Sequence, residues 1–496
     1  MRLLFFFVVL ALLAAGAVGV HHARKPLPGG LDFRGPARPL PPGSVRFFAD
    51  VTARAGEDGP IWSRRVIFDE VIRLIGEADD FVVADFFLVN EFAGGIPEET
   101  VGGESLSSRF AEALVDARRR RPEMPVILVT DPINTVYGAV PQPLFERLRE
   151  NGVEVVPVAL PALRDSNLLY SPFWRMFFSW WGEPDGDLVP NPLGEGRIGL
   201  SAFLELLNFK ANHRKTLVTG SGGKLTGLVT SANPHSASAL HGNVALRFSG
   251  PLAADLLRSE EAVYRFTTGR DFPAPVDRFL GREEDREGVP DGEPSGRVLT
   301  ENAIKRDLLG RIDRLGEGDL AEIALFYFAD HRLRGALAEA IGRGALVRLL
   351  LDPNKDAFGR KKNGIPNRQT GLWLAERGAE VRWYRTSGEQ FHAKMALFRY
   401  GDGRAALSLG SANWTRRNLD NLNLETNVVL AGPAEEEVFR RAGDFFSLLW
   451  SNAFGRGADG VPADLVTSLP FAEYKDPSRL RKILAWLMER TGAGTF

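Results

Sequence analysis

Hydrophobic positions follow the same order in the two halves of the chain. Apolar side chains recur at helical spacing over residues 65–75, and a run of aromatic and β-branched residues follows at 81–89. The helical spacing returns over residues 304–312, and an apolar run follows it at 323–328. Because these patterns are typical of an amphipathic helix and a buried strand, the sequence predicts a helix–strand unit twice. The chain is therefore expected to contain an internal duplication.

The next elements repeat as well. Each half has an apolar run that ends in an Asp-Pro turn, at Asp131 and at Asp352. A helical pattern follows each turn, over residues 144–149 and 372–377, and leads into a further apolar run. Strands that alternate with helices predict an α/β fold around a largely buried sheet. We interpret the two Asp-Pro sequences as turn chemistry and not as catalytic carboxylates.

Two His-x-Lys tripeptides occupy equivalent places in the repeat. They begin at His213 and at His392, each on a predicted strand. Side chains two residues apart on a strand share a face, so each tripeptide is expected to direct an imidazole and an ammonium into one space. A Ser-Ala-Asn tripeptide follows in both halves, at Ser231, 18 residues after the first histidine, and at Ser411, 19 residues after the second.

A single histidine on a strand is more often a core residue with a hydrogen-bonded partner than a functional group. Here two of the chain's seven histidines fall at equivalent positions, each near a lysine, a residue that is costly to bury. The duplication therefore favours a functional site. The neighbouring lysines and the absence of cysteine argue against zinc.

These paired motifs resemble those of the phospholipase D superfamily, and the Gly-Ser-Ala-Asn sequence at residues 410–413 matches its pattern especially well. The resemblance covers roughly residues 60–455. It implies one active site that is assembled from two similar α/β sandwich halves, residues 46–275 and 298–455, with sheets flanked by helices. The halves are expected to be related by pseudo-twofold symmetry, so a single chain completes the site and an oligomer is not required.

The resemblance also implies a mechanism. One histidine attacks phosphorus to form a phosphohistidine, the other protonates the leaving alcohol, and the roles reverse when water or a second alcohol arrives. We expect His213 to be the nucleophile and His392 the acid, although the sequence leaves their order open. No cofactor and no metal is implied. The side chains expected to support the reaction are Lys215 and Lys394 as phosphoryl-binding cations, Asn233 and Asn413 as hydrogen-bond donors, Ser231 and Ser411 in the turns, and Glu425 as the residue that orients a histidine.

The sequence departs from the family pattern in both halves. The aspartate expected five residues after each lysine is replaced by Gly220 and by Arg399. The position equivalent to Glu425 in the first half holds His241. We keep the catalytic assignment and expect a divergent subgroup, in which Asp402 is a candidate substitute for the second missing aspartate.

The composition narrows the choice of partner. With 61 basic and 63 acidic residues the net charge is -2, so the chain lacks the global positive field that draws proteins onto nucleic acid. Nucleic acid is therefore a disfavoured partner. The absence of cysteine excludes disulfides and thiolate chemistry.

An uncharged apolar run follows Arg2 and extends over residues 3–20. Such a run is typical of an export signal, and it is also just long enough to cross a bilayer. Residues 1–25 are thus expected to be a cleaved signal peptide or a retained membrane anchor. Either reading places the protein on the exported side of a membrane, periplasmic or extracellular.

The first half carries an insertion of about residues 161–205, because 82 residues separate Asp131 from His213 whereas 40 separate Asp352 from His392. Its aromatic cluster, within residues 168–181, suits a membrane interface, although core packing explains it equally well.

Two further segments are predicted outside the repeat. Residues 281–297 are charged and rich in glycine and proline, which indicates a linker between the halves. Within residues 456–496 a helical tail is expected, with leucine and isoleucine at helical spacing from Leu480 to Leu487. We expect this helix to dock on the protein through its apolar face.

Taken together, the sequence predicts a metal-independent phosphodiesterase that hydrolyses phospholipids or transfers a phosphatidyl group at a membrane surface. A nuclease of the same superfamily and a catalytically weak lipid-binding protein are the alternatives. For the substrate, the alternative to a phospholipid is another phosphodiester. Loss of activity on replacement of His213 would separate an enzyme from a binding protein.

Overall fold

A computed structural model describes residues 1–56, 58–92, 105–274, 276, 289, 292–357, 360–454, 461–462, 464–494 and 496. Its α-helices, in chain order, are α1 (Arg2–Arg24), α2 (Ile67–Glu77), α3 (Leu106–Arg120), α4 (Pro143–Glu150), α5 (Ser171–Phe173), α6 (Leu200–Leu206), α7 (Pro251–Thr268), α8 (Asn302–Asp313), α9 (His331–Gly342), α10 (Asn367–Ala375), α11 (Arg416–Leu419), α12 (Glu437–Trp450) and α13 (Arg479–Thr491). A π-helical turn, Trp174–Phe178, continues α5.

The strands before the middle of the chain are β1 (Arg38–Pro39), β2 (Val45–Ala55), β3 (Ile61–Arg64), β4 (Phe81–Phe86), β5 (Val126–Thr130), β6 (Glu154–Pro157), β7 (Val189–Pro190), β8 (Arg197–Ile198), β9 (Lys215–Ser221), β10 (Lys224–Thr230) and β11 (Asn243–Ser249). The later strands are β12 (Ser295–Thr300), β13 (Leu320–Leu325), β14 (Leu346–Leu351), β15 (Asp356–Ala357), β16 (Arg360–Lys361), β17 (Glu380–Tyr384), β18 (Lys394–Arg399), β19 (Arg404–Gly410), β20 (Thr426–Pro433), β21 (Leu465–Val466) and β22 (Ser468–Pro470).

Two large sheets have the same strand order. The first runs β2-β11-β10-β9-β4-β5-β6, and the second runs β12-β20-β19-β18-β13-β14-β17. In each sheet the last three strands are parallel and the others are antiparallel. The mixed α/β fold predicted from the sequence is therefore confirmed, and the two halves share one topology.

The two sheets pack against a common core, and helices cover their outer faces. On β4, Val83 faces the common core whereas Val82 and Ala84 face the outer helices α2, α3 and α4. This alternation follows from the period of two along a strand. Helices α8, α9 and α10 cover the second sheet in the same way, and α7 and α12 contribute to the common core.

The edges of the sheets join distant parts of the chain. Strand β1 pairs with β12 of the second sheet, whereas β21 pairs with β2 of the first sheet and β22 pairs with β17. The tail that was predicted to be helical thus contains two short strands before α13. These strands are only two and three residues long, and they form because they pair with β2 and β17. No local sequence pattern therefore predicts them.

Of the linker predicted over residues 281–297, positions 281–288 and 290–291 lie outside the described residues. Its last residues, 295–297, belong to β12.

Candidate active site

Both histidines lie just before a strand and not within it, because the chain leaves the sheet there to pair with the other half. His213 N donates to Leu424 O at 2.9 Å, and His392 N donates to Gly242 O at 2.8 Å. The two contacts are reciprocal, since each histidine segment pairs with the residues that precede β20 or β11 of the opposite half. The prediction that the histidines lie on strands is wrong by about two residues, and this cross-pairing is the reason.

The Asp-Pro turns fix the start of each histidine segment. Asp131 Oδ1 accepts from Ile133 N at 2.8 Å, as its turn role predicts, while Oδ2 accepts from Asn212 N at 2.7 Å. In the second half, Asp352 Oδ2 accepts from Phe391 N at 2.7 Å. Both carboxyl groups therefore hold the residue that immediately precedes a histidine.

His213 is oriented by a carboxylate of the other half. Its Nδ1 lies 2.9 Å from Glu425 Oε1 and 3.1 Å from Oε2. Since a carboxylate accepts hydrogen bonds, Nδ1 is the donor and Nε2 is left for the pocket. Ser411 Oγ and Asn418 Nδ2 also donate to Glu425, which is fully buried.

His392 has neutral acceptors instead. Its Nδ1 donates to the backbone oxygen of Ser231 at 2.9 Å and lies 3.3 Å from Asn243 Oδ1. His241 occupies the place of the missing glutamate, and its ring centroid lies 5.7 Å from that of His392. The two halves thus differ in the charge that supports their histidines.

Each lysine lies beneath its histidine. Lys215 Nζ donates to His213 O at 2.6 Å, and Lys394 Nζ donates to His392 O at 2.7 Å. Both side chains are buried, and each ammonium also lies over an aromatic ring, at 5.2 Å from the Phe87 centroid and 5.0 Å from the Phe326 centroid. These two phenylalanines were not predicted as site residues, because in the sequence they are indistinguishable from core positions that end a strand.

One pocket contains both histidines. Asn233 and Asn413 also line it, as expected from the sequence, together with the unpredicted Arg417. Asn233 Oδ1 accepts from Leu88 N at 3.3 Å, which leaves its amide NH₂ as a donor toward the pocket.

Ser231 and Ser411 do not line the pocket. Ser231 Oγ donates to Asn243 Oδ1 at 2.9 Å, and Ser411 Oγ donates to Glu425. Both hydroxyl groups are buried, so they position other side chains and do not face a substrate.

Burial sets the proton affinities of the site. It lowers the pKa of His213 to about 4, with Glu425 acting in the opposite direction and Lys215 in the same one. Burial also lowers the pKa of Lys215 to about 7. The pKa of His392 is well below its usual value because of burial and the nearby Lys394. Both imidazoles are therefore neutral at pH 7 in the free site.

Gly220 and Arg399, which replace the two expected aspartates, have ordinary structural roles. A Cβ added at Gly220 would lie 2.6 Å from the Phe81 ring, so that position is closely packed. Arg399 pairs with the buried Glu322. Asp402, the suggested substitute, is 53% exposed in the turn between β18 and β19 and does not line the pocket. That suggestion is therefore wrong, because the turn lies at the far end of β18 from His392.

No group of three or more histidine or acidic side chains suited to hold a metal ion occurs among the residues that the structure describes.

Comparison with known proteins agrees with this geometry. The family model described as cardiolipin synthase, PLD-like domain, matches residues 317–450. Residues 317–450 are therefore similar to a phospholipase D-like domain. The matched segment contains His392, Lys394, Asn413 and Glu425, and the match confirms the resemblance inferred from the motifs. No curated protein gave a significant sequence match to the chain.

Solved structures extend the similarity to the first half. The crystal structure of phosphatidylserine synthase from Haemophilus influenzae Rd KW20 aligns over 92% of this chain and 96% of that chain, with a TM-score of 0.54 and 10% identity. Polyphosphate kinase from Porphyromonas gingivalis aligns over 91% and 53% (TM-score 0.44, 14% identity), and the phospholipase D family member Nuc from Salmonella typhimurium over 32% and 95% (TM-score 0.26, 18% identity). The first of these three shows a shared fold over nearly all of both chains.

Proposed function

We propose that this protein is a metal-independent phospholipid phosphodiesterase or phosphatidyltransferase that works through a phosphohistidine. The observation that carries the proposal is the pair of histidines in one pocket. The Nδ1 atom of each forms a hydrogen bond with the protein, and a lysine ammonium donates to the backbone oxygen of each. In-line displacement at phosphorus needs a nucleophile, an acid at the leaving oxygen and positive charge around the equatorial oxygens. The two histidines supply the nucleophile and the acid. Arg417 in the pocket wall and the two lysines, which are buried beneath the histidines and do not line the pocket, supply the positive charge.

The different Nδ1 partners favour His213 as the nucleophile. Attack by Nε2 makes its ring cationic, and a hydrogen bond from Nδ1 to the Glu425 carboxylate stabilises that charge. His392 donates to a backbone carbonyl, which offers less stabilisation to a cation. A proton on His392 is accordingly easier to give to a leaving alcohol.

The reaction then has two displacements. The anionic phosphodiester offsets the charge of the nearby lysines, so His392 takes up a second proton, on Nε2, when substrate binds. His213 Nε2 forms a bond to phosphorus while the bond from phosphorus to the leaving oxygen breaks, and His392 transfers its Nε2 proton to that oxygen. Water or a second alcohol next gives a proton to His392 as its oxygen bonds to phosphorus, and the bond to His213 breaks. Lys215 and Lys394 stabilise the phosphoryl oxygens, while Asn233 and Asn413 donate hydrogen bonds to them.

The aromatic side chains that line the pocket support the proposal of a lipid substrate. Phe87, Tyr137, Phe209 and Tyr327 line the pocket beside the polar groups. The matched family model and the phosphatidylserine synthase both carry names of phospholipid enzymes. The near-neutral charge gives no comparable support to a nucleic-acid substrate.

The N-terminal helix supports a membrane location. Helix α1 is long and apolar enough to cross a bilayer, with a mean hydropathy of 2.8 and little burial against the protein, although signal sequences near the N-terminus share this character. We propose that it directs the chain to the exported side of a membrane, where the pocket meets phospholipid.

The test is headgroup release from vesicles of mixed bacterial phospholipids in EDTA, with single-stranded and duplex DNA as parallel substrates. Turnover of lipid that His213→Ala abolishes and His331→Gln preserves is the expected result, since His331 lies outside this pocket. Added glycerol distinguishes transfer from hydrolysis by the product it forms. Cleavage of DNA alone, or lipid turnover that EDTA stops, would contradict the proposal.

A further inference from the structure

One face of α13 carries a group of exposed large apolar side chains. Five of its large side chains are exposed: Leu480 by 75%, Ile483 by 56%, Leu484 by 40%, Trp486 by 54% and Leu487 by 43%. Soluble proteins rarely leave so many neighbouring large apolar side chains in water. The expectation that this face docks on the protein is wrong.

The other side of α13 is firmly attached. Ala485 and Met488 pack against a cluster that contains Phe326 and Tyr327. Glu489 is buried and accepts from Arg416 N at 2.7 Å. The helix is therefore held through a different face, and its leucines point outward while it is docked.

Basic side chains accompany the apolar face. Arg479, Arg481, Lys482 and Arg490 lie on α13, and Glu489 is its one acidic residue. Arg481 pairs with Asp476 at 2.8 Å, just before the helix. A helix with exposed leucine and tryptophan beside arginine and lysine is suited to the interface of a bilayer that contains anionic phospholipids.

The aromatic insert, residues 161–205, is hydrogen-bonded to both α13 and α1. Leu168 N of the insert donates to Thr491 O at the end of α13 at 2.8 Å. Three residues earlier, Asp165 N donates to His22 O at the end of α1 at 3.1 Å. The insert exposes Phe177 by 41%, Trp180 by 71% and Trp181 by 47%. Tryptophan is enriched at the level of lipid headgroups.

We propose that α13 lies in the membrane interface, with the apolar face around Leu484 in contact with anionic phospholipid, and that the aromatic insert joins it there. Phe326 and Tyr327, which pack against α13, also line the catalytic pocket. This docking therefore brings the bilayer to the border of the pocket. The docking itself stands on the exposed surfaces, and only its value for catalysis rests on the proposed function.

The absence of cysteine allows a direct test with single labels. Leu480→Cys and Leu484→Cys are each labelled with an environment-sensitive fluorophore in the full chain, and Leu346→Cys and Leu448→Cys are the matched controls. These control leucines are exposed by 36% and 37% on other elements. Each protein is reconstituted into phosphatidylglycerol vesicles with lipids that carry a doxyl quencher at known depth.

The α13 labels are expected to emit at shorter wavelength and to be quenched at a depth of about 5–10 Å below the headgroups, with the controls unquenched. Equal quenching at all four positions, or none at 480 and 484, would overturn the proposal. Efficient disulfide crosslinking of Leu484→Cys chains without quenching would assign the face to a second copy and likewise overturn it.

Activity gives a separate readout. Replacement of Leu480, Ile483 and Leu487 by serine is expected to raise KM for vesicle lipid while it leaves kcat/KM for a short-chain, monomeric phospholipid unchanged. An equal loss on both substrates would contradict a docking role. The quenching is also measured in the His213→Ala background, where it is expected to persist because docking does not depend on turnover. Labelled chains with His213 intact that are quenched but release no headgroup would refute the proposed function alone.

Discussion

The two histidines of the pocket have unequal partners, and this difference supports a separate proposed role for each. Burial lowers the pKa of both, while Glu425 opposes that shift at His213 and Lys394 adds to it at His392. A histidine that becomes cationic on attack benefits from a carboxylate behind it. A histidine that must release a proton does not.

Glu425→Gln is the first prediction at this scale. The neutral amide removes the charge that stabilises cationic His213, so kcat is expected to fall by about 10²–10⁴-fold with little change in KM. The pKa of His213, measured by NMR with labelled histidine, is expected to move further down. Glu473→Gln, on an exposed residue, is the control. An unchanged kcat would contradict the role of Glu425.

A bound anion is predicted to raise the pKa of His392. Lys394 and Lys215 both lower that pKa in the free site. Inorganic phosphate between the lysines offsets their charge, so the protonated form of His392 persists to higher pH. The measurement is a histidine NMR titration with and without phosphate, in which His392→Ala identifies the signal. A pKa that stays constant or falls on adding phosphate would show that the anion binds elsewhere.

At the scale of elements, the Asp-Pro turns connect parallel strands to the catalytic segments. Strand β5 ends at Thr130, and Asp131 then reaches across to Asn212 N. Burial raises the pKa of Asp131 to about 7 and that of Asp352 to about 6. Each turn therefore acts as a positioning device for the histidine beyond it.

Asp131→Asn is predicted to displace His213. An amide in that place sets one NH₂ group against a backbone N–H, because both oxygens of Asp131 accept hydrogen bonds. We expect kcat to fall by about 10–100-fold with KM nearly unchanged. Asp187→Asn, at an 84% exposed position, is the control. A change in KM alone would indicate a substrate contact instead.

The spacing of apolar residues along the sequence correctly predicted several helices and strands. The helix expected at 65–75 is α2, and the strand expected from Phe81 is β4. Pairing between halves was not predictable from a single segment, which is why the histidines were placed inside strands. The amphipathic pattern of α13 likewise predicted a helix but could not tell whether its apolar face meets protein or lipid.

The site residues also fall into those that the sequence predicts and those that it does not. Repetition identified the two histidines, the two lysines, Asn233 and Asn413, whereas Phe87 and Phe326 carry no signal that separates them from core residues. Glu425 was expected to orient a histidine only through the family resemblance, which did not say which one, and the structure places it beside His213.

At the scale of the whole molecule, the pocket needs both halves of one chain. His213 comes from the first half, and its carboxylate partner and His392 come from the second. The common core between the sheets holds these parts together. Both histidines and the carboxylate partner of His213 therefore belong to one chain.

Mixing two inactive variants tests whether one chain supplies both histidines of a site. Chains with His213→Ala and chains with His392→Ala are each expected to be inactive, and their mixture is expected to stay inactive because neither contains a complete pair. The rate of headgroup release is compared with that of the unmodified chain at half the total concentration. Recovery of activity in the mixture would indicate a site shared between chains.

The most direct test of the account is to identify the covalent intermediate. The His392→Ala variant is incubated with a phosphatidyl ester of p-nitrophenol, whose leaving group needs no acid, and is quenched with alkali because a phosphohistidine is acid-labile. The protein is then digested and analysed by mass spectrometry. The account predicts a phosphatidyl adduct on the peptide that contains His213, and no adduct in His213→Ala. In the unmodified chain, an adduct on His392, or lipid turnover with no histidine adduct on rapid quenching, would contradict it.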